Sequence, residues 1–237
     1  MPLPDDARLF AVIPAAGVGA RTGAPLPKQY LTVRGHTVAE HTLRRLLSVE
    51  KIQSLVVATA GADLWWPQLS VSHHGRIRSV LGGVTRADSV LECLNALSGT
   101  AKDTDWVLVH DMARPCVCRT DIVKLIDACG DQGAILAAPV VDTIKRANGE
   151  QIKETVSREH LWRALTPQLF PVGPLRDALA AGIAKGDCIT DEASAMEMAG
   201  WKPKLVEGRS DNIKLTLASD LALVGFYLSQ QEKTGEA

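Results

Sequence analysis

The sequence predicts an α/β fold in which a mostly parallel sheet is flanked by helices. Short apolar runs alternate along the chain with segments of helical periodicity, an order that is typical of βαβ units. These runs are almost continuously apolar, which indicates strands that are buried on both faces. With 237 residues, 46% of them hydrophobic, the chain is long enough to bury a substantial core. We therefore expect residues 1–237 to form a single Rossmann-like domain.

The predicted elements follow one another in a regular order. Thr37 and Glu40 have the spacing of a capping box, which marks the start of the first helix. The predicted strands are Leu9–Ile13, Ser54–Ala60, Arg76–Leu81, Trp106–His110 and Ala134–Ala138. The predicted helices are Thr37–Val49, Arg86–Leu97, Asp121–Cys129 and a closing helix at Ala218–Ser229, followed by a frayed polar tail over Gln230–Ala237.

Charge and composition argue against several classes of protein. The formal net charge of −1 gives no global electrostatic reason to bind nucleic acid or an anionic membrane. The sequence has no apolar run of about 18 residues and no signal-like N-terminus, so we expect a cytoplasmic protein without a membrane partner. The five cysteines are scattered, and Cys116 and Cys118 lack a second pair or a nearby histidine cluster that would complete a zinc site. Reduced, structural thiols are the expectation.

A long loop that contains glycines follows the first predicted strand. Gly17 and Gly19 allow backbone N–H groups to approach phosphate oxygens closely. Arg21 and Lys28 lie where they could fold over the same phosphates. We interpret the loop as a binding loop for a nucleoside triphosphate. The alternative is an ordinary connection with surface charges, which its length disfavours.

Two familiar phosphate-binding motifs do not fit this loop. A dinucleotide fingerprint needs its third glycine three residues after the second, whereas Gly23 follows Gly19 by four residues. Pro25 and Pro27 also prevent an immediate helix. No Gly-Lys-Ser/Thr sequence closes the segment, so a P-loop is excluded as well.

Two more loops at the ends of predicted strands carry unusual residues. The backbone of Gly82 and Gly83 could read the edge of a base, and Ser89 adds a hydroxyl nearby, although a plain turn before a helix is the alternative. Asp111 follows a buried strand, so its carboxylate needs a charged partner or a ligand, and Arg114 could supply a local ion pair. Ligands bind at the carboxyl ends of parallel strands, so we expect the three loops to converge.

Residues 139–161 differ from the rest of the chain and predict a protruding β-hairpin arm. Asn148-Gly149 lies between two β-prone runs, which is the strongest short hairpin signal. An isolated hairpin is marginally stable, so pairing with the same arm of a second chain would cover it. A simple surface hairpin is the alternative.

Eight short blocks, in order, carry a resemblance to a known family. They are Pro14-Ala15-Ala16-Gly17-x-Gly19, Pro27-Lys28-Gln29-Tyr30, Gly82-Gly83 with Arg86 and Ser89, His110-Asp111-x-Ala113-Arg114-Pro115, Asp142-Thr143-Ile144-Lys145, Ala164-Leu165-Thr166-Pro167-Gln168, Thr190-Asp191-Glu192-Ala193 and Glu207-Gly208-x-x-x-Asn212-Ile213-Lys214. Together the blocks resemble the 2-C-methyl-D-erythritol 4-phosphate cytidylyltransferases of the non-mevalonate isoprenoid pathway. The likeness extends from about residue 9 to about residue 228.

The resemblance implies a nucleotidyl transfer. A phosphate oxygen of methylerythritol phosphate attacks the α-phosphorus of CTP, and pyrophosphate leaves. Because the second pKa of a phosphomonoester is about 6, the attacking group needs no general base. The demand is to neutralise crowded negative charge. The implied cofactor is Mg²⁺, held mainly by triphosphate oxygens and water rather than by protein ligands.

The same resemblance implies a role for each matching residue. The catalytic cations would be Arg21, Lys28, Arg158 and Lys214. The nucleotide would contact Ala15, Ala16, Gly17, Gly19, Gly82, Gly83 and Ser89. The polyol phosphate would contact Asp111, Arg114, Thr166, Thr190 and Lys214, with Thr143 and Arg158 contributed by the arm of the partner subunit in a homodimer.

Two departures and two alternatives accompany this interpretation. Val84 stands where some relatives have an acidic residue, and Met112 replaces a usual alanine, so both are expected to tune binding. A pentitol-phosphate cytidylyltransferase would share the nucleotide loops, but the match at Thr143 and Arg158 favours methylerythritol phosphate. A non-catalytic nucleotide-binding module would be expected to lack the phosphate-handling cations, which this sequence retains.

Overall fold

Strands and helices alternate along the chain, and the computed structural model describes them in residues 3–4, 6–17 and 26–236. The strands are β1 (Leu9–Pro14), β2 (Thr32–Val33), β3 (His36–Thr37), β4 (Ile52–Thr59), β5 (Ile77–Leu81), β6 (Trp106–Val109), β7 (Ala134–Pro139), β8 (Ile144–Asn148), β9 (Gln151–Val156), β10 (Trp162–Pro171) and β11 (Lys204–Glu207). The helices are α1 (Val38–Leu47), α2 (Arg86–Ala96), α3 (Arg119–Ala128), α4 (Val172–Lys185), α5 (Glu192–Met198) and α6 (Asp220–Lys233). Single turns of 3-10 helix lie at Lys28–Tyr30, Trp66–Gln68 and Ser70–His73.

The central sheet contains seven strands in the order β11-β7-β10-β6-β1-β4-β5. β1 pairs in parallel with β4 and β6, β4 with β5, and β7 with β11. Within this described sheet, β10 is the strand that runs antiparallel to its two neighbours, β6 and β7. The predicted, mostly parallel α/β fold is therefore confirmed. The carboxyl ends of β1, β5 and β6 lie at the same edge, which we call the carboxyl edge.

The central strands of the sheet, such as β1, β4, β6 and β7, are buried on both faces because their residues alternate between two cores. In β1, Leu9, Ala11 and Ile13 belong to one core, whereas Phe10 and Val12 belong to the other. Helices α1 and α3 cover the first core, and α2, α4 and α5 cover the second. A smaller cluster joins α6 to β2 and to the start of α1. None of the helices in the described ranges is long and apolar enough to cross a membrane.

The closing helix is longer than predicted. It extends to Lys233, so the expectation of a frayed tail from Gln230 was wrong over this part of the segment. Gln231 is fully buried: its amide donates to the backbone oxygen of Cys116 at 2.9 Å and accepts from the Arg45 guanidinium at 3.0 Å. A buried amide with both of its groups satisfied holds the last turn against the body of the protein.

The predicted hairpin is present as a separate two-stranded sheet made of β8 and β9. Asn148 pairs with Gln151, so the two central residues are Gly149 and Glu150, one position later than the Asn-Gly signal indicates. Gly149 has a φ of 59°, a left-handed conformation that glycine adopts without strain. A register shift in the middle of the pair accompanies this displacement.

Candidate active site

Two cavities open at the carboxyl edge and share one charged wall. The first has a volume of about 300 Å³ and the second about 250 Å³. Arg86, Asp111 and Lys214 line both cavities, and we call these three residues the shared wall. Arg86 begins α2, Asp111 follows β6, and Lys214 lies in the loop between β11 and α6. Three distant parts of the chain thus meet at the edge where the sequence predicted a site.

Buried hydrogen bonds fix the described part of the first loop. Gln29, 5% exposed, donates its side-chain amide to the backbone oxygens of Ala15 at 3.1 Å and Gly17 at 3.5 Å. The Ala15 N–H donates to the Ala58 oxygen at 2.8 Å. Ala15, Gly17 and Lys28 therefore line the first cavity from a backbone that is anchored to the sheet.

The turn that carries Lys28 is held at its other end by Tyr30. The Tyr30 hydroxyl donates to an Asp63 carboxylate oxygen at 2.5 Å. Its ring stacks on Trp65, with ring centroids 5.8 Å apart and planes inclined by 28°. Lys28, two residues away in the same 3-10 turn, thereby has a fixed backbone.

The glycine pair has a packing role that the sequence did not indicate. The Gly82 N–H donates to the Thr59 oxygen at 2.9 Å, so that group is used within the sheet. A Cβ on Gly82 would lie 2.4 Å from the Cβ of Ala16, and one on Gly83 would lie 2.2 Å from the Cβ of Asp88. Both glycines therefore permit close approach of neighbouring segments. Gly83 lines the first cavity and Gly82 is not part of its described lining, while the contact of this pair with a base stays a prediction.

Ser89 also lines the first cavity, and its hydroxyl already has a hydrogen-bond partner. It is 3% exposed, and its hydroxyl donates to the Thr85 oxygen at 2.9 Å. Thr85 caps α2 in a capping box with Asp88, which fixes the start of the helix and with it Arg86.

Asp111 is a buried carboxylate surrounded by three cations. One of its oxygens, Oδ1, accepts from Arg86 Nε at 2.8 Å, and the other, Oδ2, contacts Lys214 Nζ at 2.9 Å and Arg114 Nε at 3.5 Å. Burial raises the pKa of Asp111, but the attraction of Arg86, Lys214 and Arg114 outweighs burial and holds this pKa well below its usual range. Asp111 is therefore ionised at neutral pH. The predicted local pair with Arg114 is present, within a larger cluster.

Arg86 is held from its other side by Glu192, which is 0% exposed. Arg86 donates NH1 to Glu192 Oε1 at 2.7 Å and NH2 to Oε2 at 3.1 Å. Burial disfavours the charged guanidinium, but Glu192 and Asp111 outweigh that effect and raise the pKa of Arg86. For Arg114 burial prevails over Asp111, and its pKa is lowered.

His110 organises the backbone behind Asp111. The carbonyl oxygen of Arg114 can only accept, so His110 Nε2 donates to it, at 3.1 Å. His110 Nδ1 then accepts from the Thr166 hydroxyl at 2.9 Å, while the Thr166 oxygen accepts from the Asp111 N–H at 3.1 Å. Burial lowers the pKa of His110 to about 4, so the ring is neutral at pH 7.

The second cavity contains the polar residues that were predicted to hold the polyol phosphate. Arg114, Thr166 and Thr190 line it together with the shared wall. Asn212 supports this arrangement, because its side-chain amide donates to the Thr166 backbone oxygen at 2.8 Å and its own backbone oxygen accepts from Arg114 NH1 at 2.8 Å.

Most of the predicted site residues meet at these cavities. The first cavity is lined by Ala15, Ala16, Gly17, Lys28, Gly83, Ser89, Asp111 and Lys214, and the second by Asp111, Arg114, Thr166, Thr190 and Lys214. Gly19 and Arg21 lie outside the described residues. Thr143 and Arg158 are exposed on the arm and stand apart from the described lining of both cavities. The two departures, Val84 and Met112, both line the first cavity.

Arg86, Glu192 and Gln29 belong to the site although the sequence interpretation gave them no role. All three stand inside motifs that were recognised, so their position was the available signal. The pairing of Arg86 with Glu192 spans 106 residues, which no local pattern reveals. Among the described residues, no group of three or more His, Cys, Asp or Glu side chains is arranged to hold a metal ion.

Comparison with known proteins identifies close relatives along almost the whole chain. The model of the 2-C-methyl-D-erythritol 4-phosphate cytidylyltransferase family matches residues 9–230. The protein of that name from Tolumonas auensis is 53% identical over 225 residues, covering 94% of this chain and 97% of the relative. The one from Vibrio vulnificus is 53% identical over 227 residues, covering 94% and 96%. The crystal structure of the Francisella tularensis 2-C-methyl-D-erythritol 4-phosphate cytidylyltransferase superposes with a TM-score of 0.80 at 34% identity, covering 93% of this chain and 100% of that one.

Proposed function

Because the chain belongs to the 2-C-methyl-D-erythritol 4-phosphate cytidylyltransferase family, it transfers a cytidylyl group from CTP to 2-C-methyl-D-erythritol 4-phosphate, and we propose that the two joined cavities hold these two reactants. The products are 4-diphosphocytidyl-2-C-methyl-D-erythritol and pyrophosphate. The observation that carries the placement is the shared wall, whose cations stand between the two cavities. The relatives carry the methylerythritol phosphate name, so the pentitol-phosphate alternative is not favoured.

In the proposed arrangement, CTP occupies the first cavity and the polyol phosphate the second. An oxygen of the acceptor phosphate forms a bond to the α-phosphorus of CTP while the bond to the bridging oxygen of pyrophosphate breaks. Lys28 and Lys214 line the first cavity, where they would neutralise the triphosphate as charge builds up. We assign Arg21, which lies outside the described residues, to the same role from the family resemblance.

Mg²⁺ is proposed as the cofactor, carried mainly by the triphosphate and water. Bound there, it would neutralise charge on the phosphate oxygens. The described lining fits a metal that arrives with the nucleotide, because Asp111, the carboxylate of the shared wall, is already engaged by three cations. Removal of divalent cations with EDTA should abolish pyrophosphate release, and added Mg²⁺ should restore it.

We further propose that residues 1–237 act as one nucleotidyltransferase domain in a homodimer joined by the arm, residues 139–161. Val141 and Ile152 on the arm are 70% and 66% exposed, an apolar surface that a second arm would cover. Arg158 and Thr143 would then reach the second cavity of the partner. We place the reaction in the cytoplasm, where nucleoside triphosphates are available.

Incubation with CTP, Mg²⁺ and a panel of polyol phosphates tests the function. We expect pyrophosphate release with 2-C-methyl-D-erythritol 4-phosphate and much slower release with a pentitol phosphate. UTP should be a poorer donor than CTP, since it presents an acceptor where cytosine presents a donor. Release with the pentitol phosphate alone would overturn the assignment.

A further inference from the structure

Glu192 is a fully buried carboxylate beside the shared wall, and the proposed reaction gives it no contact with either reactant. Both of its neighbours in sequence are fixed. Asp191 caps α5 by accepting from the Ser194 N–H at 2.9 Å. Gln168 donates to the Asp191 carboxylate at 2.8 Å and accepts from the Ala193 N–H at 2.8 Å. The start of α5 therefore presents Glu192 from a rigid backbone.

The hydrogen bonds between Glu192 and Arg86 determine which nitrogen of the guanidinium donates to Asp111. Glu192 takes both terminal nitrogens of Arg86, at 2.7 and 3.1 Å, and leaves Nε to contact Asp111 Oδ1 at 2.8 Å. Oδ2 of Asp111 then remains for Lys214 Nζ, at 2.9 Å. The carboxylate of Asp111 is thus divided between two cations.

Without Glu192, nothing would keep one oxygen of Asp111 for Arg86 and the other for Lys214. The two terminal nitrogens of Arg86 would lose their partner inside a site where Asp111 is the adjacent carboxylate. A guanidinium binds a carboxylate most strongly through two parallel hydrogen bonds, so Arg86 would compete with Lys214 for both oxygens of Asp111. Lys214 would then lose the oxygen that holds it.

We propose that Glu192 is a positioning residue that fixes Lys214 through Arg86 and Asp111. This inference rests on the proposed function, in which Lys214 neutralises charge during the transfer. It makes the start of α5 part of the machinery that sets the geometry of the shared wall.

A double-mutant cycle with Lys214 tests the inference. Single-turnover rates should fall about tenfold in Glu192→Gln, with the Kd for CTP changed by less than about twofold. In a Lys214→Ala background, Glu192→Gln should have almost no further effect, because the residue through which it acts is gone. A rate loss in the double variant equal to the product of the two single losses would overturn the proposal.

Asp105→Asn is the matched control. Asp105 is also buried, at 3% exposed, and also holds one arginine through two nitrogens, Arg8 Nε at 3.1 Å and NH2 at 2.6 Å. It lies at the opposite edge of the sheet, just before β6. Its removal should lower the Tm, while any small effect on rate should multiply with that of Lys214→Ala. If Glu192→Gln does not fold, Glu192→Asp, which keeps the charge and shortens the reach, enters the same cycle.

A readout without turnover separates this inference from the proposed function. Acetic anhydride should modify Lys214 several times faster in Glu192→Gln than in the wild type, whereas the exposed Lys51 should react equally in both, as measured by peptide mass spectrometry. Equal rates at Lys214 would contradict the positioning role. Absence of pyrophosphate release from the wild type would contradict the proposed function alone.

Discussion

Lys28 lines the first cavity, and its turn is anchored by the hydrogen bonds of Gln29 and Tyr30. We predict that Lys28→Ala lowers kcat by about two to three orders of magnitude, because charge on the transferred group builds up most in the transition state. The affinity for CTP should fall far less, by roughly tenfold or below, because Lys28 is expected to stabilise the transition state more than the bound nucleotide. Stopped-flow rates and calorimetry measure the two quantities separately.

Lys51→Ala is the control for this prediction. Lys51 is an exposed lysine that pairs with Asp127 at 3.3 Å, away from the lining of both cavities as described. Its removal should change neither kcat nor the Kd. If CTP binding by Lys28→Ala were lost in step with turnover, Lys28 would be a ground-state anchor only.

His110 provides a prediction about pH. Its pKa of about 4 in the folded protein lies below the ordinary value near 6.5, so the unfolded chain binds a proton more readily. The neutral ring contributes roughly 3 kcal/mol to the free energy of unfolding. This contribution is fully present above about pH 6.5 and is lost as the pH falls toward 4. Urea unfolding between pH 4.5 and 7 should show this slope. His110→Asn should have a flatter profile over that window, and identical profiles would contradict the assignment.

At the scale of elements, the strands with unbroken apolar runs could be predicted, and β10 could not. Its sequence contains Pro167 and ends in Pro171, which argues against a central strand because proline donates no ladder hydrogen bond. The register of β10 against β7 shifts between Ala164 and Gln168, so an irregularity absorbs Pro167. The start of α1 was predictable because its signal is local: Thr37 and Glu40 form the capping box.

The same distinction applies to the site. Asp111 and Arg114 are three residues apart, and their pairing could be foreseen. The loops could be assigned to one edge because parallel strands place their carboxyl ends together. The pairing of Glu192 with Arg86 could not be foreseen, since the packing of α5 against α4 and within the second core brings the two residues together. Local pattern thus indicates where the site lies, whereas tertiary packing decides which charges meet.

Gly82 joins the loop after β5 to the loop after β1, and its replacement should separate them. We predict that Gly82→Ala raises the KM for CTP and destabilises the protein by about 1–3 kcal/mol, because the new Cβ would lie 2.4 Å from the Cβ of Ala16. Steady-state kinetics and urea unfolding measure both effects.

Gly75→Ala is the matched control, since a Cβ there meets nothing within 4 Å. It should leave KM unchanged. Wild-type KM and stability in Gly82→Ala would show that the two loops have room to move apart.

At the scale of the whole molecule, the proposed dimer makes each active site a composite. Arg158→Ala and Lys214→Ala should each be nearly inactive alone. In a mixed dimer one site carries both defects and the other neither, so random exchange should restore roughly a quarter of the wild-type activity. Refolding the two variants together, with exchange verified by native mass spectrometry, measures the gain.

A mixture of Arg158→Ala with Thr143→Ala controls for this experiment. Both residues would come from the arm, so every site in the mixed dimer would still lack one of them, and the mixture should be no more active than the average of the two variants. No gain in the first mixture, after verified exchange, would mean that Arg158 acts within its own chain.

The stack of Tyr30 on Trp65 gives the protein a built-in optical reporter. Trp65 is 36% exposed, and its indole stacks on the ring of Tyr30, which lies in the same turn as Lys28. Any displacement of that turn when a nucleotide enters should change the environment of the indole. A fluorine label on this tryptophan, assigned by its loss in Trp65→Phe, would convert the change into a chemical-shift signal. Nucleotide analogues could then be ranked by titration in the absence of any acceptor.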